Sequence, residues 1–598
     1  MRTKNYIVSD LRPIRDVENS FFQAHYCVYE FGLTHKSVNV ANFIDKNKEE
    51  LQQLWNFSEK KYNSYVDILG ERLNNLHKTN YSKEFWQRVF STSLLHHITL
   101  VHQFYNYVKK NFDSNVHSCE ILNEKSYKIS NSYDELRDFL SGSSIGQEQL
   151  FSIYINLFYK NRYSEFSFFE KDLKEDISYD FNKYFKLKNY SYERILKKMN
   201  NLVSTLFLSK SKRVKVGLMG CYFHPDYFKI LQERSFGKIQ IIPIPTLNSS
   251  KYVDFLSRDL ISKIDDNMDN FDKFFFHSLK YLMPKHLIEN FKGTIKRFDI
   301  ILRNYKNISY ILSEAWTSSS SINLFRAIAF EKNDIKTYYN EHNCILHPFV
   351  GNYVKFQSKL IDKYLTLGWK TTEQKFISLS SLFNFTHTKK DKKYDILYVS
   401  NPALYQYSFY SSSSCHSGAG AVKQLEFVKK FFFNIKPNIL KKISYRSYPK
   451  DYNYKRLQYD KEKFLESYLK HVSFVSSLKF KGESCKEQMA ASSLVIVDFL
   501  STSYLEALKM NIPLICFCDK NSMYLDDKYL NFFDDLIQAK IVHTTPESAA
   551  EHLKDIHENP LKWWNMIKTQ DLKKRWLNKN FGNPDDMVGY LLKLSKQN

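Results

Sequence analysis

The feature that most constrains the fold is an alternation of short apolar runs with helical segments over most of the second half of the chain. RVKVGLMG (213–220), KIQIIPIP (238–245) and ISYILSEAW (308–316) are typical of strands, and helical segments follow them. After the charged stretch THTKKDKKYD (386–395), the pattern restarts at DILYVSNP (395–402). Strands that alternate with helices of about ten to fifteen residues predict parallel sheets.

Two such series, joined near residue 390, predict an α/β protein with two Rossmann-like domains and a cleft between their sheets. Helical spacing dominates from about Asn47 to Phe112, and residues 113–200 have weaker periodicity, which indicates a helical insertion in the N-terminal half. The predicted division is an N-terminal α/β domain over 1–390 with its insertion at 45–200, a nucleotide-binding domain over 391–560, and a helical tail over 561–598.

Charge and composition narrow the class of protein. The 87 Lys and Arg residues exceed the 64 Asp and Glu residues, which gives a net charge of +23 and favours an anionic partner. No apolar run is long enough to span a membrane, and the first residues have no apolar core of a secretory signal. The eight cysteines form no CxxC pair, so neither a disulfide scaffold nor a zinc cluster is expected. We expect a cytoplasmic protein.

The segment SLVIVDFLSTSYLEALKMNIPLICFCD (493–519) predicts an anion site. A buried strand ends there, and Ser501, Thr502 and Ser503 stand at the start of the next helix. Hydroxyls, exposed N–H groups and the positive helix end suit a phosphate. Glu506 lies one turn later on the same face and suits the paired hydroxyls of a ribose. An ordinary helix cap with a solvated glutamate is the alternative.

The segment ISYRSYPKDY (443–452) adds basic groups at the end of another predicted strand. Arg446 and Lys450 would neutralise phosphate charge, and Tyr448 would add a hydrogen-bond donor. The alternative is a strand end that is simply solvated.

In the first half, NEHN (340–343) places His342 at the carboxyl end of a predicted strand. A neutral imidazole there could accept a hydroxyl proton, with Glu341 or another carboxylate orienting it. Glu314 and Glu30, which end two other predicted strands, are rival bases. A histidine that only satisfies backbone groups is the alternative. The remaining histidines lack HExxH spacing, so no metal site is expected.

These segments together resemble the transferases of O-antigen and other surface-polysaccharide gene clusters, which are distantly similar to two-domain (GT-B) glycosyltransferases. The resemblance covers most of the chain, and the matching segments are YSKEFWQRVF, PKHLIENF, TYYNEHN, DKYLTLGW, SYRSYPKDY, DFLSTSYLEALKMNIPLICF, LIQAKIVHTTPESAAEHL and NPLKWWN. The family usually has Gln-His followed by glycines where this chain has Glu341-His342-Asn343-Cys344. Tyr448-Pro449 stands where sialyl- and Kdo-transferases, which use CMP-activated sugars, carry His-Pro.

The resemblance implies a GT-B-like glycosyltransferase of surface-polysaccharide biosynthesis, for lipopolysaccharide O antigen or capsule. It would move a sugar from a nucleotide-activated donor, a CMP-sugar being one option, to a glycan or lipid-linked acceptor. We expect no cofactor, no metal and no specific nucleic acid, and we expect peripheral contact with the cytoplasmic face of an anionic inner membrane. A sugar-nucleotide epimerase, an alditol-phosphate transferase and a non-catalytic basic nucleic-acid-binding protein are the alternatives.

Overall fold

The computed structural model describes most of the chain beyond residue 46. The described residues are 4–7, 20–22, 39–40, 47–142, 144–160, 163–166, 213–247, 250–314, 319–342, 347–351, 353–380, 391–401, 419–448, 461–475, 483–519 and 524–597. Two of the predicted site residues, Glu30 and Lys450, lie outside them.

The first sheet is parallel and combines the N-terminal strands with strands from the predicted helical insertion. Its order is β3-β2-β1-β4-β5, with bounds β1 Lys4–Ile7, β2 Ser20–Phe22, β3 Asn39–Val40, β4 Val116–Leu122 and β5 Tyr163–Phe166. The sequence analysis expected strands in the first 45 residues, including the one that ends at Glu30, but not this sheet, because β1, β2, β3 and β5 are only two to four residues long and lack the apolar runs of the other strands.

A helical layer follows the expected apolar spacing. Its helices are α1 Lys48–His77, α2 Lys83–Asn115, α3 Tyr133–Gly142 and α4 Ser144–Phe158. A capping box between Asn47 and Glu50 starts α1, and Lys78 ends it in the left-handed conformation. Its apolar stripe, with Trp55, Tyr62 and Leu69, is buried against the other helices.

The second sheet belongs to the N-terminal half. Its parallel order is β11-β10-β9-β8-β6-β7, with bounds β6 Val216–Met219, β7 Ile239–Ile241, β8 Tyr310–Glu314, β9 Lys336–Asn340, β10 Lys363–Thr366 and β11 Phe376–Ser378. The helices of this region are α5 Pro225–Arg234, α6 Phe255–Ile261, α7 Asn270–Leu282, α8 Phe291–Arg303, α9 Ser320–Asn333 and α10 Tyr353–Lys359. The neighbouring residues Ile311 and Leu312 of β8 belong to two different hydrophobic core clusters, as expected for a sheet that is covered on both faces.

The third sheet has the strand order of a Rossmann fold. Its parallel order is β14-β13-β12-β15-β16-β17, with bounds β12 Tyr394–Val399, β13 Ile443–Arg446, β14 Ser473–Val475, β15 Ser492–Val497, β16 Leu514–Phe517 and β17 Val542–His543. Renumbered within the domain, this is the order 3-2-1-4-5-6, whose switch point lies between β12 and β15. The predicted α/β class with two Rossmann-like domains is confirmed by the second and third sheets.

Helices cover the third sheet and continue to the C-terminus. They are α11 Ala419–Phe433, α12 Pro437–Leu440, α13 Lys461–Phe464, α14 Glu466–Leu469, α15 Cys485–Ala490, α16 Thr502–Lys509, α17 Asp534–Gln538, α18 Pro546–Ile556, α19 Pro560–Trp564, α20 Ile567–Asn580 and α21 Pro584–Leu594. The last helix, α21, returns to the second sheet, where Met587 and Leu591 pack with Val216 and Leu312. Among the described helices, none has the length and hydropathy needed to cross a bilayer.

The loops that leave β9 and β16 join the two Rossmann-like domains. The Val350 N–H donates to the Tyr524 carbonyl at 2.9 Å, and the Asp526 N–H donates to the Pro348 carbonyl at 2.8 Å. Both loops follow the carboxyl ends of their strands. Ligands of parallel α/β folds bind at such carboxyl edges.

Candidate active site

Asp498 follows β15 at the switch point of the third sheet and is fully buried. Its carboxylate accepts hydrogen bonds from the Tyr398 hydroxyl at 2.8 Å and from the Asn401 N–H and side-chain amide, both at 2.9 Å. The ammonium of Lys461, also buried, forms an ion pair with it. These bonds join the ends of β12 and β15 and fix the backbone that leads into α16.

The three hydroxyls predicted to bind an anion lie at the start of α16. Ser501 is the residue before the first helical position, yet its side chain makes no capping hydrogen bond. Its Oγ is buried and has no hydrogen-bond partner among the described residues. Ser501 therefore does not act as an ordinary helix cap here. Thr502 and Ser503 are partly exposed beside it.

Helix α15 brings further polar groups to the start of α16. The Ser503 hydroxyl bonds the Cys485 thiol, and Glu506 and Arg446 both act electrostatically on that thiol. Burial raises the pKa of Glu506 to about 7, and the nearby Lys486 ammonium lowers it in part. Glu506 is thus a partly protonated carboxyl near neutral pH, which can both donate and accept hydrogen bonds.

Arg446 ends β13 beside this cluster and is buried. Its Nε donates to the Gln488 side chain at 2.7 Å, so part of the guanidinium is held by α15. Tyr448 is half-buried two residues later. The structure thus places Arg446 next to the candidate site, and Lys450 lies outside the described residues.

His342 and Glu314 form a pair at the carboxyl edge of the second sheet. Nδ1 of His342 lies 3.1 Å from Oε1 of Glu314, and Glu314 is almost fully buried at the end of β8. The Tyr222 N–H donates to the other carboxylate oxygen at 3.3 Å, and the Tyr222 ring meets the imidazole edge-on. Glu314, predicted as a rival base, is hydrogen-bonded to His342, which is the contact expected of a carboxylate that orients the imidazole.

Glu341 lies away from this pair. Its Oε2 accepts hydrogen bonds from the Leu367 N–H at 2.9 Å and from the Trp369 indole at 2.6 Å. Its side chain is fully buried, and burial raises its pKa to about 8. The expectation that Glu341 orients His342 is therefore corrected: neighbouring residues of an extended segment point to opposite sides, and Glu341 holds the loop after β10.

Several residues of the site were missed by the sequence analysis. Asn401 follows β12 as Asp498 follows β15, so a comparison of the two strand ends could have found it. No sequence pattern pointed to Lys461, Gln488 or Cys485, whose positions depend on how the helices pack. Within the described residues, no group of three or more His, Cys, Asp or Glu side chains could hold a metal ion.

Comparison with known proteins gives one match over nearly the whole chain. Residues 14–594 match the family model of the LIC12162 family transferase. No match was found among curated proteins.

Three solved structures illustrate the level of structural likeness. The E. coli trehalose-6-phosphate protein bound with UDP-2-fluoro glucose is 8% identical, with a TM-score of 0.38 over 64% of this chain and 99% of its own. MurG from Acinetobacter baumannii is 10% identical, with a TM-score of 0.31 over 64% and 99%. The glycosyltransferase SnogD from Streptomyces nogalater is 9% identical, with a TM-score of 0.32 over 64% and 100%. Values this low say nothing about the activity of this chain.

Proposed function

This chain belongs to the LIC12162 transferase family, and from that premise we propose that it transfers a sugar from a nucleotide-activated donor to a glycan or lipid-linked acceptor. The pathway we propose is the synthesis of a surface polysaccharide, such as lipopolysaccharide O antigen or capsule. The observation that carries the proposal is the complementary chemistry at the carboxyl ends of two strands. One has a buried hydroxyl at a helix start that has no hydrogen-bond partner among the described residues, and the other has a histidine bonded to a carboxylate.

The nucleotide is proposed to bind the third sheet. Its phosphates would lie at the start of α16, against the Ser501 hydroxyl and the N–H groups of Thr502 and Ser503. Arg446 stands beside this point and contributes positive charge. The partly protonated Glu506 suits the ribose hydroxyls one turn further along the helix. Tyr448 and Lys450 complete the proposed nucleotide-binding set.

The acceptor is proposed to bind the second sheet. With Nδ1–H of His342 donated to Glu314, Nε2 of the imidazole is the proton acceptor. The acceptor hydroxyl would lose its proton to Nε2 as its oxygen forms a bond to the anomeric carbon of the sugar. The bond between that carbon and the phosphate oxygen breaks, and the leaving nucleotide carries the electron pair away.

Charge on the leaving phosphate is proposed to be stabilised by the protein itself. The start of α16, the Ser501 hydroxyl and the guanidinium of Arg446 are fixed by packing before the reaction, so they need little reorganisation as charge develops. The Asp498 network holds the backbone that presents them.

A peripheral contact with the cytoplasmic face of the inner membrane is proposed from the net charge of +23. Each basic residue near an anionic surface contributes about 1 kcal/mol to binding, and salt weakens the attraction. Co-sedimentation with vesicles that contain anionic lipid should fall steeply as salt is raised. Equal binding to neutral vesicles would contradict this placement.

A nucleotide screen tests the proposal. CMP, CDP, UDP, GDP and TDP are compared by thermal shift, since a ligand of the folded state raises its apparent stability. One nucleotide should raise the midpoint in the wild type and fail to do so in Ser501→Ala/Thr502→Ala. The corresponding sugar nucleotide is then offered with and without acceptor.

The outcomes separate the alternatives. Turnover of the sugar without any acceptor would identify an epimerase, and transfer of an alditol phosphate would identify the other transferase. Salt-dependent binding of arbitrary DNA that the double substitution leaves unchanged, with no nucleotide response, would contradict the proposal. A response to CMP alone would support the CMP-sugar option suggested by Tyr448-Pro449.

A further inference from the structure

A second run of hydroxyl-bearing residues lies within the helical layer, at a break in helix α2. Helix α2 extends over 33 residues, and Ser91 in its interior has φ 44° and ψ −141°. A positive φ is strained for a residue other than glycine and persists only where its surroundings hold it. The break makes two helices, and the second begins after Ser91. Its first N–H groups and its positive end therefore lie inside the protein. Ser91-Thr92-Ser93 repeats the tripeptide Ser501-Thr502-Ser503.

Two arginines are buried beside this break. Arg88, on α2, is 8% exposed, and Arg326, on α9, is 2% exposed. The Arg88 guanidinium lies 3.6 Å from the centre of the Phe330 ring, and the Arg326 guanidinium lies 4.2 Å from the centre of the Tyr339 ring. Tyr339 also reaches the break, since its hydroxyl is 3.5 Å from the Ser91 Oγ. The aromatic rings thus hold both cations near Ser91.

Neither guanidinium has the partner that a buried charge requires. No ion pair joins either arginine to a carboxylate in the described part of the chain. Within the described residues, the one hydrogen bond that Arg88 donates goes from NH1 to the Glu84 carbonyl at 3.3 Å. Burial and the charge of Arg326 lower the pKa of Arg88, while Asp362 and Glu84 act in the opposite direction. Asp362 is hydrogen-bonded to Thr337. Two like charges buried together, neither in an ion pair among the described residues, are costly to the fold.

A neutral side chain shows the same lack of partners. Asn323 lies one turn before Arg326 on the same face of α9 and is fully buried. Neither its side-chain nitrogen nor its oxygen has a hydrogen-bond partner among the described residues. The Nε atoms of Arg88 and Arg326 are buried and unpartnered as well. Buried polar atoms are normally satisfied, so the unpartnered nitrogen donors of Arg88, Arg326 and Asn323 indicate a missing acceptor.

We propose that Arg88, Arg326 and Asn323, with the helix that restarts after Ser91, bind an oxyanion, the carboxylate or phosphate of a substrate. One such group would accept hydrogen bonds from both guanidiniums at once. Tyr339 connects this site to the candidate active site, because it stands three residues before His342 on the same extended segment. The assignment of the anion to the acceptor, an acidic or phosphorylated glycan, rests on the proposed function; the anion site itself does not.

Thermal unfolding with simple anions tests the site. Inorganic phosphate and glucuronate are added to the full-length protein at an ionic strength matched with chloride. Phosphate, glucuronate or both should raise the midpoint of the wild type by about 2 °C or more. The rise should fall at least several-fold in Arg326→Met and stay unchanged in the matched control Arg234→Met, whose arginine is exposed. A response to glucuronate points to an acidic sugar, and a response to phosphate alone points to a phosphorylated one.

The same experiment separates binding from packing. Without added anion, Arg326→Met should be at least as stable as the wild type, because an unpaired buried charge is gone. A less stable variant with an unchanged anion response would mean that Arg326 is a packing residue, and the proposal would be overturned.

Amide hydrogen exchange of the wild-type protein tests the proposed anion site without any substitution. Added phosphate or glucuronate should slow exchange at residues 92–95, apart from any change at residues 501–505. No protection at 92–95 with either anion overturns the site. Protection at 92–95 without any sugar-transfer activity would leave the site standing and remove its assignment to an acceptor.

Discussion

The buried carboxyl groups that follow β15 and β9 are stabilised in different ways. Each buried strand is followed by a fully buried carboxyl group, Asp498 in one sheet and Glu341 in the other. Asp498 meets the Lys461 ammonium and three neutral donors, whereas Glu341 accepts hydrogen bonds from two neutral donors, the Leu367 N–H and the Trp369 indole. The first is compensated by a cation, and burial raises the pKa of the second to about 8.

This contrast distinguishes residues that stabilise the fold from residues that are proposed to bind a substrate. In both sheets the first polar residue after the strand is used by the fold, and the residue suited to a substrate comes later. Ser501 follows Asp498 by three positions, and His342 follows Glu341 by one. The comparison can be tested by changing each of these four residues in turn.

The largest effect on stability is expected for Asp498→Ala. It leaves the Lys461 ammonium buried without its ion-pair partner, so the free energy of unfolding should fall by about 3–5 kcal/mol. Chemical denaturation with circular dichroism measures the loss. The exposed Asp395, at the start of neighbouring β12, is the control, and Asp395→Ala should change stability by less than about 0.5 kcal/mol. Equal effects at the two positions would remove the distinction drawn for Asp498.

His342→Asn should act on turnover and not on the fold. The loss of the proposed base should lower kcat by about a thousandfold, with little change in the unfolding midpoint. Glu314→Gln, which leaves the imidazole in place but weakens its orientation, should lower kcat less. His471→Asn, at an exposed histidine, is the matched control and should retain full activity. Wild-type kcat in His342→Asn would exclude His342 as the base.

Glu341→Gln should change the pH dependence of stability. The folded carboxyl keeps its proton up to about pH 8, while the unfolded one loses it near 4.5. Unfolding therefore releases a proton between these values, and wild-type stability should fall as pH rises through that window. The amide keeps both accepted hydrogen bonds and cannot ionise. Glu341→Gln should lack this fall and be about 3 kcal/mol more stable at pH 7.

Denaturation series at pH 5, 6, 7 and 8 compare the two proteins. Glu373→Gln, at an exposed carboxyl, should follow the wild-type curve. Parallel curves for wild type and Glu341→Gln would show that Glu341 is ionised in the fold and would undo the contrast with Asp498.

Ser501→Ala should produce the smallest effect, and only on binding. Loss of one hydroxyl should weaken nucleotide binding by about five- to tenfold, equivalent to about 1 kcal/mol. Stability should stay unchanged because Ser501 makes no capping bond. Thr545→Ala offers the opposite case: its hydroxyl accepts from the Ser548 N–H at 3.2 Å, so its loss should cost about 1 kcal/mol of stability. Destabilisation by Ser501→Ala would restore the helix-cap alternative.

The sequence predicted the parts of the fold whose signal is local. The apolar runs that became β8, β12, β15 and β16 are long and bounded by turns, so two parallel sheets were predicted correctly. The first sheet was missed because β1 to β3 are two to four residues long. Such strands are stabilised by their neighbours rather than by their own pattern.

The site was predictable to the extent that it depends on strand ends. Parallel strands bring their carboxyl ends to one edge, which located Ser501, Arg446, His342 and Glu314. The direction of each side chain was not predictable, and Glu341 shows this most clearly. Helix packing decided the rest: Gln488 and Cys485 reach the site only because α15 lies against α16.

A crystal structure with the nucleotide selected by the screen would test the central claim most directly. We expect its phosphate oxygens within hydrogen-bonding distance of the Ser501 Oγ and of the N–H groups at the start of α16, with the sugar-bearing end directed towards His342. A nucleotide bound elsewhere, with the Ser501 hydroxyl still unpartnered, would contradict the assignment of this edge as the donor site.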